Sequence, residues 1–137
     1  MKISPNNSCP CGSTKKYKKC CKPFHNGTFP NTAVELMKSR FCAYAIKNAE
    51  YIIGTTHKTN QDFSNDTFAW SNSILDFCEA TDFLHVDILE QIDGEIESFV
   101  TFKANLIQNG IDASFIEKSR FLKEENKWFY VDGTFED

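Results

Sequence analysis

Four cysteines within thirteen positions, Cys9-Pro10-Cys11 and Cys20-Cys21, constrain this chain more than any other feature. Met1-Lys2-Ile3-Ser4-Pro5-Asn6-Asn7 has no apolar stretch after its lysine, so no secretory leader is expected and the expected compartment is the cytoplasm. In that reducing setting clustered cysteines read as metal ligands rather than disulfides. Cys-x-Cys can set two sulfurs on one side of a tight turn, and residues 12–19 can return two more from the start of a helix or turn. Gly12 relieves the turn, and Ser13 or Thr14 can cap the returning segment. Four thiolates suit tetrahedral Zn²⁺, with Zn–S near ~2.3 Å and every position filled, so the expected metal role is structural. Other readings stay open at this level. Cys20-Cys21 could be a redox-active pair, the four thiols could hold an iron–sulfur cluster, and His25 could replace one thiol as ligand.

Charge separates the chain into unequal parts. The net charge is −4, yet residues 1–30 hold six lysines and no acid, for +6, while residues 31–137 carry −10. Four thiolates with one Zn²⁺ would leave the first segment near +4. Lys15-Lys16-Tyr17-Lys18-Lys19 concentrates that charge around one aromatic ring. If metal fixes this loop, the lysines can meet phosphates or an acidic peptide while Tyr17 stacks on a base or fills a notch. The expected partners are an acidic protein segment, RNA or the ribosome, in a salt-dependent contact. No apolar run is long enough for a membrane span.

Residues 22–31 are rich in proline, glycine and asparagine and read as an ordered linker. The expected units are a metal-binding segment at 1–30 and a globular domain at 31–137, and the chain's 13 phenylalanines promise an aromatic core. Thr32-Ala33-Val34-Glu35 forms a capping box, and Val34, Met37, Phe41 and Tyr44 follow at helical spacing, predicting a helix over 32–47. A second short helix is expected over 49–55. Residues 61–80 read as loop with one or two helical turns, with Ile74, Leu75, Phe77 and Cys78 inward. From Phe83 the period becomes two: Leu84, Val86 and Ile88 alternate with His85 and Asp87. Asp93-Gly94 turns into a second strand whose inward face is Ile96, Ser98, Val100, Phe102, Ala104 and Leu106. Asn109-Gly110 is a type I′ hairpin signal, followed by a strand over 111–123, a turn at Glu125-Asn126 and a strand over 127–132. Helices followed by an antiparallel meander define an α+β domain, with N-terminal helices packed on a curved antiparallel sheet.

Residues 9–21 resemble the SEC-C motif found at the tail of the translocase motor SecA. The likeness extends to the YchJ family: Leu36-Met37-Lys38-Ser39-Arg40-Phe41 resembles its Leu-Met-Arg-Ser-Arg-Tyr segment. Ala49-Glu50-Tyr51-Ile52 and Thr55-Thr56-His57 resemble its next helix and the Thr-Trp-His after it. Ser119-Arg120-Phe121-Leu122-Lys123-Glu124 and Trp128-Phe129-Tyr130-Val131-Asp132-Gly133 resemble its closing strands. The resemblance implies a cone-shaped domain like nuclear transport factor 2 behind a zinc motif, and binding to protein or ribosome, as the SecA motif contacts SecB and the ribosome. The chain departs from the family pattern at Thr56, where tryptophan is usual, and at Lys58, where proline is usual. Many relatives end in a second SEC-C motif, so a bridging role needing two such knobs would here require a dimer.

Cone-type folds often enclose a pocket, so small-molecule binding or hydrolase- or isomerase-type catalysis is the alternative expectation. Candidate pocket groups are Arg40, His57, His85 with Asp87, Arg120, Trp128, Tyr130 and Asp132. Each also has a structural reading. His85 and Asp87 suit the solvent face of an edge strand, Arg40 can pair with Asp132 or a carbonyl, and His57 suits a helix C-terminus. Trp128 and Tyr130 suit a core, and Cys42 and Cys78 read as buried thiols. No nucleophile–base spacing or phosphate-binding glycine loop is present, and the expectation leans away from an enzyme.

Overall fold

The computed structural model describes residues 3–136; Met1, Lys2 and Asp137, at the outer ends of the two expected units, lie outside the described residues. A 3₁₀ turn at Tyr17–Lys19 and a short helix α1 (Lys22–His25) lead into α2 (Ala33–Ala45), α3 (Ala49–Gly54) and α4 (Thr67–Glu79). Strands β1 (Asp82–Ile92), β2 (Glu97–Gln108), β3 (Ile111–Asp112), β4 (Phe115–Glu124) and β5 (Lys127–Glu136) follow. Among the described residues no helix is long and apolar enough to cross a membrane.

Helix α2 begins as its sequence predicts. Thr32 Oγ1 accepts from the Glu35 amide at 3.1 Å, but the Glu35 carboxylate accepts from the Asn31 amide, one residue before the cap. Ala33, Leu36, Met37, Ser39, Arg40, Phe41, Cys42 and Ala43 are all buried, which is more than one face of a helix. The sheet covers one side of α2 and the N-terminal segment another. Asn48 caps α3 and Asp66 caps α4. Helix α4 is 13 residues long, not one or two turns. Trp70, Ile74 and Cys78, spaced four apart, point inward against α2 and α3, whereas Phe77, expected inward, is 39% exposed.

The strands run antiparallel in the order β1-β2-β4-β5, with β3 on β2. β3 and β4 keep one register on β2, Ile107 opposite Asp112 and Ala104 opposite Phe115. The predicted strand over 111–123 is therefore present but interrupted where the Ser114 hydroxyl, accepting from the Leu106 amide at 3.0 Å, takes over the ladder. Asn109 and Gly110 both have positive φ, as a type I′ turn requires, and so do Glu125 and Asn126. The inward face of β2 is as predicted from Ser98 to Leu106, but Ile96 precedes the strand and is exposed. In β1 the expected alternation holds for Val86 and Ile88 against His85 and Asp87 but fails at Leu84. Register shifts between Phe83 and His85 and between Ile88 and Glu90 leave Leu84 and Leu89 unpaired and outward, 51% and 54% exposed. The inward residues are Phe83, Val86 and Ile88. β5 continues to Glu136, past the expected end at Asp132.

Candidate metal centre

The N-terminal segment is folded by few backbone contacts. Ser8 and Lys16 form an antiparallel bridge, and the Cys9 amide donates to the Lys15 carbonyl at 2.8 Å. Gly12 turns the chain with φ +88°, its amide donating to the Cys9 carbonyl. A Cβ at this position would sit 2.9 Å from the Cβ of His85, so the turn lies directly on the edge strand β1. The 3₁₀ turn then delivers Cys20 and Cys21, the latter at the start of α1.

This path places the Sγ atoms of Cys9, Cys11, Cys20 and Cys21 within 4.8 Å of one another. Cys11 lies 3.6 Å from Cys20, and Cys20 lies 4.0 Å from Cys21. Cys9, Cys11 and Cys21 are buried, and Cys20 is partly open. The Ser13 hydroxyl accepts from the Lys15 amide at 3.3 Å and also lies 3.1 Å from the Cys20 sulfur, while the 3₁₀ turn has no side-chain cap. Hydrogen bonds from Cys11, Cys21 and Cys42 lower the Cys9 pKa, while burial pushes the Cys20 thiol up to about 11. Four sulfurs this close form one donor set that a single cation can bridge. The donor set fits a soft or borderline metal ion.

Two residues beside the cluster resolve an open alternative and correct an expectation. His25 is not among the four. Its Nδ1 meets the Tyr17 hydroxyl at 2.7 Å and its Nε2 the Ser39 carbonyl oxygen at 2.9 Å, so both nitrogens are engaged in fastening the segment to α2. Tyr17 is 7% exposed, packed in the core with burial pushing its pKa up to about 12. The ring expected to meet a partner is an internal post. Lys15, Lys16, Lys18 and Lys19 remain exposed, and none joins an ion pair among the described residues. A fifth thiol, Cys42 of α2, is fully buried with its sulfur 3.8 Å from Cys9, a neighbour that spacing along the chain could not reveal.

Residues 6–23 match the SEC-C motif, and residues 32–133 match the family described as YchJ, middle NTF2-like domain. The chain belongs to the YchJ family. A UPF0225 protein of Serratia proteamaculans is 39% identical over 133 residues, covering 92% of this chain and 82% of that one. A UPF0225 protein of Vibrio cholerae is 41% identical over 131 residues, covering 93% and 83%. The solution structure of a SEC-C motif containing protein from Rhodopseudomonas palustris superimposes with a TM-score of 0.83 at 29% identity, covering 96% of this chain and 100% of that one. The fold is thus the NTF2-like α+β fold behind a SEC-C motif.

The residues expected to line a pocket in this YchJ-family chain divide into two groups. Arg40 and Tyr130 do line a cavity between α2 and the sheet. Nη1 of Arg40 donates to the Ile52 carbonyl, Thr55 and Thr56, so its structural partner is the carbonyl option, and its guanidinium lies 4.7 Å from the centre of the Tyr130 ring. The others do not line that cavity. Arg120 faces outward in a bidentate pair with Asp132, with Glu97 on its remaining nitrogen, all at 3.2 Å. Asp132 shares parity with Tyr130, but β5 slips by one residue at Val131, which turns Asp132 to the outer face. His85 and Asp87 form a half-exposed pair at 3.4 Å on edge strand β1. Buried His57 bonds Glu124 at 2.7 Å and Thr59 at 2.7 Å, in a segment whose Thr56 bridges to Tyr130, so a carboxylate rather than a helix dipole answers it. Trp128 is buried, its Nε1 donating to the Asn31 carbonyl. Sequence reasoning missed Glu117 and Ser119, which line the cavity, and the exposed Gly133, over which the Glu117 side chain folds.

Proposed function

We propose that the SEC-C segment holds one structural Zn²⁺ through Cys9, Cys11, Cys20 and Cys21 and thereby presents Lys15, Lys16, Lys18 and Lys19 to an anionic partner. The carrying observation is that these exposed lysines sit on the loop whose two ends are ligand sulfurs, and that no acidic side chain of the described residues neutralises them. A tetrahedral ion with Zn–S of about 2.3 Å spaces its sulfurs by about 3.8 Å, close to the 3.6 and 4.0 Å found here. With all four positions taken by protein, the ion orders the loop and activates no water. Because Tyr17 is buried, the knob offers charge without an exposed ring. The reading therefore favours a row of negative charge, as in an acidic protein segment or the phosphate backbone of ribosomal RNA, over recognition of bases. The expected compartment remains the cytoplasm.

Metal content measured by mass spectrometry on protein purified without added metal should give one zinc per chain. Binding to an acidic peptide and to an RNA duplex, each titrated across a salt series, should weaken several-fold from low to physiological salt. It should vanish on chelation and on changing Lys15, Lys16, Lys18 and Lys19 together to alanine. A metal-free chain with an intact fold would refute the zinc reading, and undiminished binding by the alanine variant would refute the lysine face.

A further inference from the structure

The cavity between α2 and the sheet has a volume of about 200 Å³. Phe41, Tyr44, Phe83, Phe102 and Phe115 are among the side chains that line it. Among the lining residues is Glu117, only 9% exposed. The Ser119 and Tyr130 hydroxyls both donate to its Oε2, the latter at 3.1 Å. Its Oε1 has no hydrogen bond, and no cation pairs with it, among the described residues. No buried side-chain oxygen among the described residues lacks a partner, so this atom reaches solvent, and a ligand that takes the place of that water must donate to the carboxylate in turn.

The placement is built by the sheet. Ser119 pairs with Gly133 across β4 and β5, and the Glu117 side chain folds over that glycine. A Cβ on Gly133 would lie 2.3 Å from Oε2 and 2.6 Å from the carboxyl carbon, so only glycine leaves room for the carboxylate here. The cationic wall residue Arg40 spends Nη1 on α3 and the segment after it, while its Nε and Nη2 make no hydrogen bond among the described residues. Tyr130 joins the two groups, its ring beneath the guanidinium and its hydroxyl on Glu117. An acceptor and a set of N–H donors thus flank one end of an apolar chamber.

We propose that this chamber is a binding site for a small apolar molecule bearing one hydroxyl group, such as a single-ring phenol or a short alcohol. The hydroxyl proton goes to Glu117, the hydroxyl oxygen accepts from Arg40, and the apolar body lies among the phenylalanines. Apolar cavities of about 150 Å³ take up benzene, so one ring with a small substituent fits the volume. A carboxylate-bearing ligand would meet Glu117 with like charge. A ligand without a polar group would leave the acceptor unsatisfied, the discrimination that buried polar groups enforce most strongly. This goes beyond the lysine face and is independent of it.

The test uses the full chain with its metal and three probes of one size: p-cresol, toluene and p-toluate. Binding is followed by NMR shifts of the Met37 and Leu106 methyl groups, which line the cavity. p-Cresol should saturate with a Kd of about 1 mM or tighter, at least about ten-fold better than toluene or p-toluate. Glu117→Leu should reduce the preference for p-cresol over toluene to less than about two-fold. Gly133→Ala, which keeps the carboxylate but displaces it, should do the same. The proposal is overturned if no probe saturates, if p-cresol binds no better than toluene to the unmodified chain, or if either folded variant keeps the preference. Should both variants fail to fold, selectivity of the unmodified chain alone decides.

Discussion

Changing Gly12 to alanine separates two ways in which a glycine can matter. Its φ of +88° is costly for any L side chain, by about 1–2 kcal/mol. The added methyl would also lie 2.9 Å from the His85 Cβ. That atom is fixed to the β1 backbone and cannot rotate aside, so the loop must lift from the strand by a few tenths of an ångström, adding about 1 kcal/mol or more. The total of about 2–3 kcal/mol should lower Tm by roughly 6–12 °C for a chain of this size. If the loop opens locally instead, the loss should appear as faster transfer of the bound metal to a chelator at unchanged Tm. Gly27→Ala is the control, because Gly27 also has positive φ, +114°, but nothing lies within 4 Å of the methyl it would gain. Thermal melts and chelator kinetics on both variants isolate the contact. If Gly12→Ala is no worse than Gly27→Ala by either measure, the motif does not rest on β1 and the reasoning fails.

Tyr17→Phe should cost about 1–3 kcal/mol in chemical denaturation, since it strands the half-buried His25 Nδ1; a neutral result would remove the latch. The His57 contact lowers the Glu124 pKa. Its folded value lies below its unfolded one, so this pair contributes fully above the ordinary carboxylate range and loses its contribution as pH falls from about 4.5 through the folded value. Denaturation midpoints between pH 6 and 3 should therefore fall less steeply in Glu124→Gln than in the unmodified chain; parallel curves would contradict the pairing.

The cysteine cluster can be read from the chain because it is local: turn, loop and returning pair lie within residues 9–21. The face of β2 is equally legible, since every second residue from Ser98 to Leu106 is buried. Readings fail where one inserted residue changes parity. The bulges of β1 send Leu84 outward, and the slip at Val131 carries Asp132 away from Tyr130. Helix α4 is longer than its residues suggest because Thr67, Ser71, Asn72 and Ser73 are weak helix formers, although Trp70, Ile74 and Cys78 carry its spacing. Glu117 could not be singled out at all. Its burial depends on Gly133 beside it, a relation that exists only once two strands are in register.

Cys42 shows that the boundary near residue 30 divides the chain but not its interior. Cys9, Cys11, Tyr17 and Cys21 belong to the same packed cluster as Leu36, Cys42 and Phe121. A shortened protein beginning at residue 31 would lose the roof over that side of α2 and wet a surface evolved dry. The amino-terminal knob is thus less a tag carried by the cone than one of its walls, and a tug on its lysines would be felt by the helix that also walls the chamber.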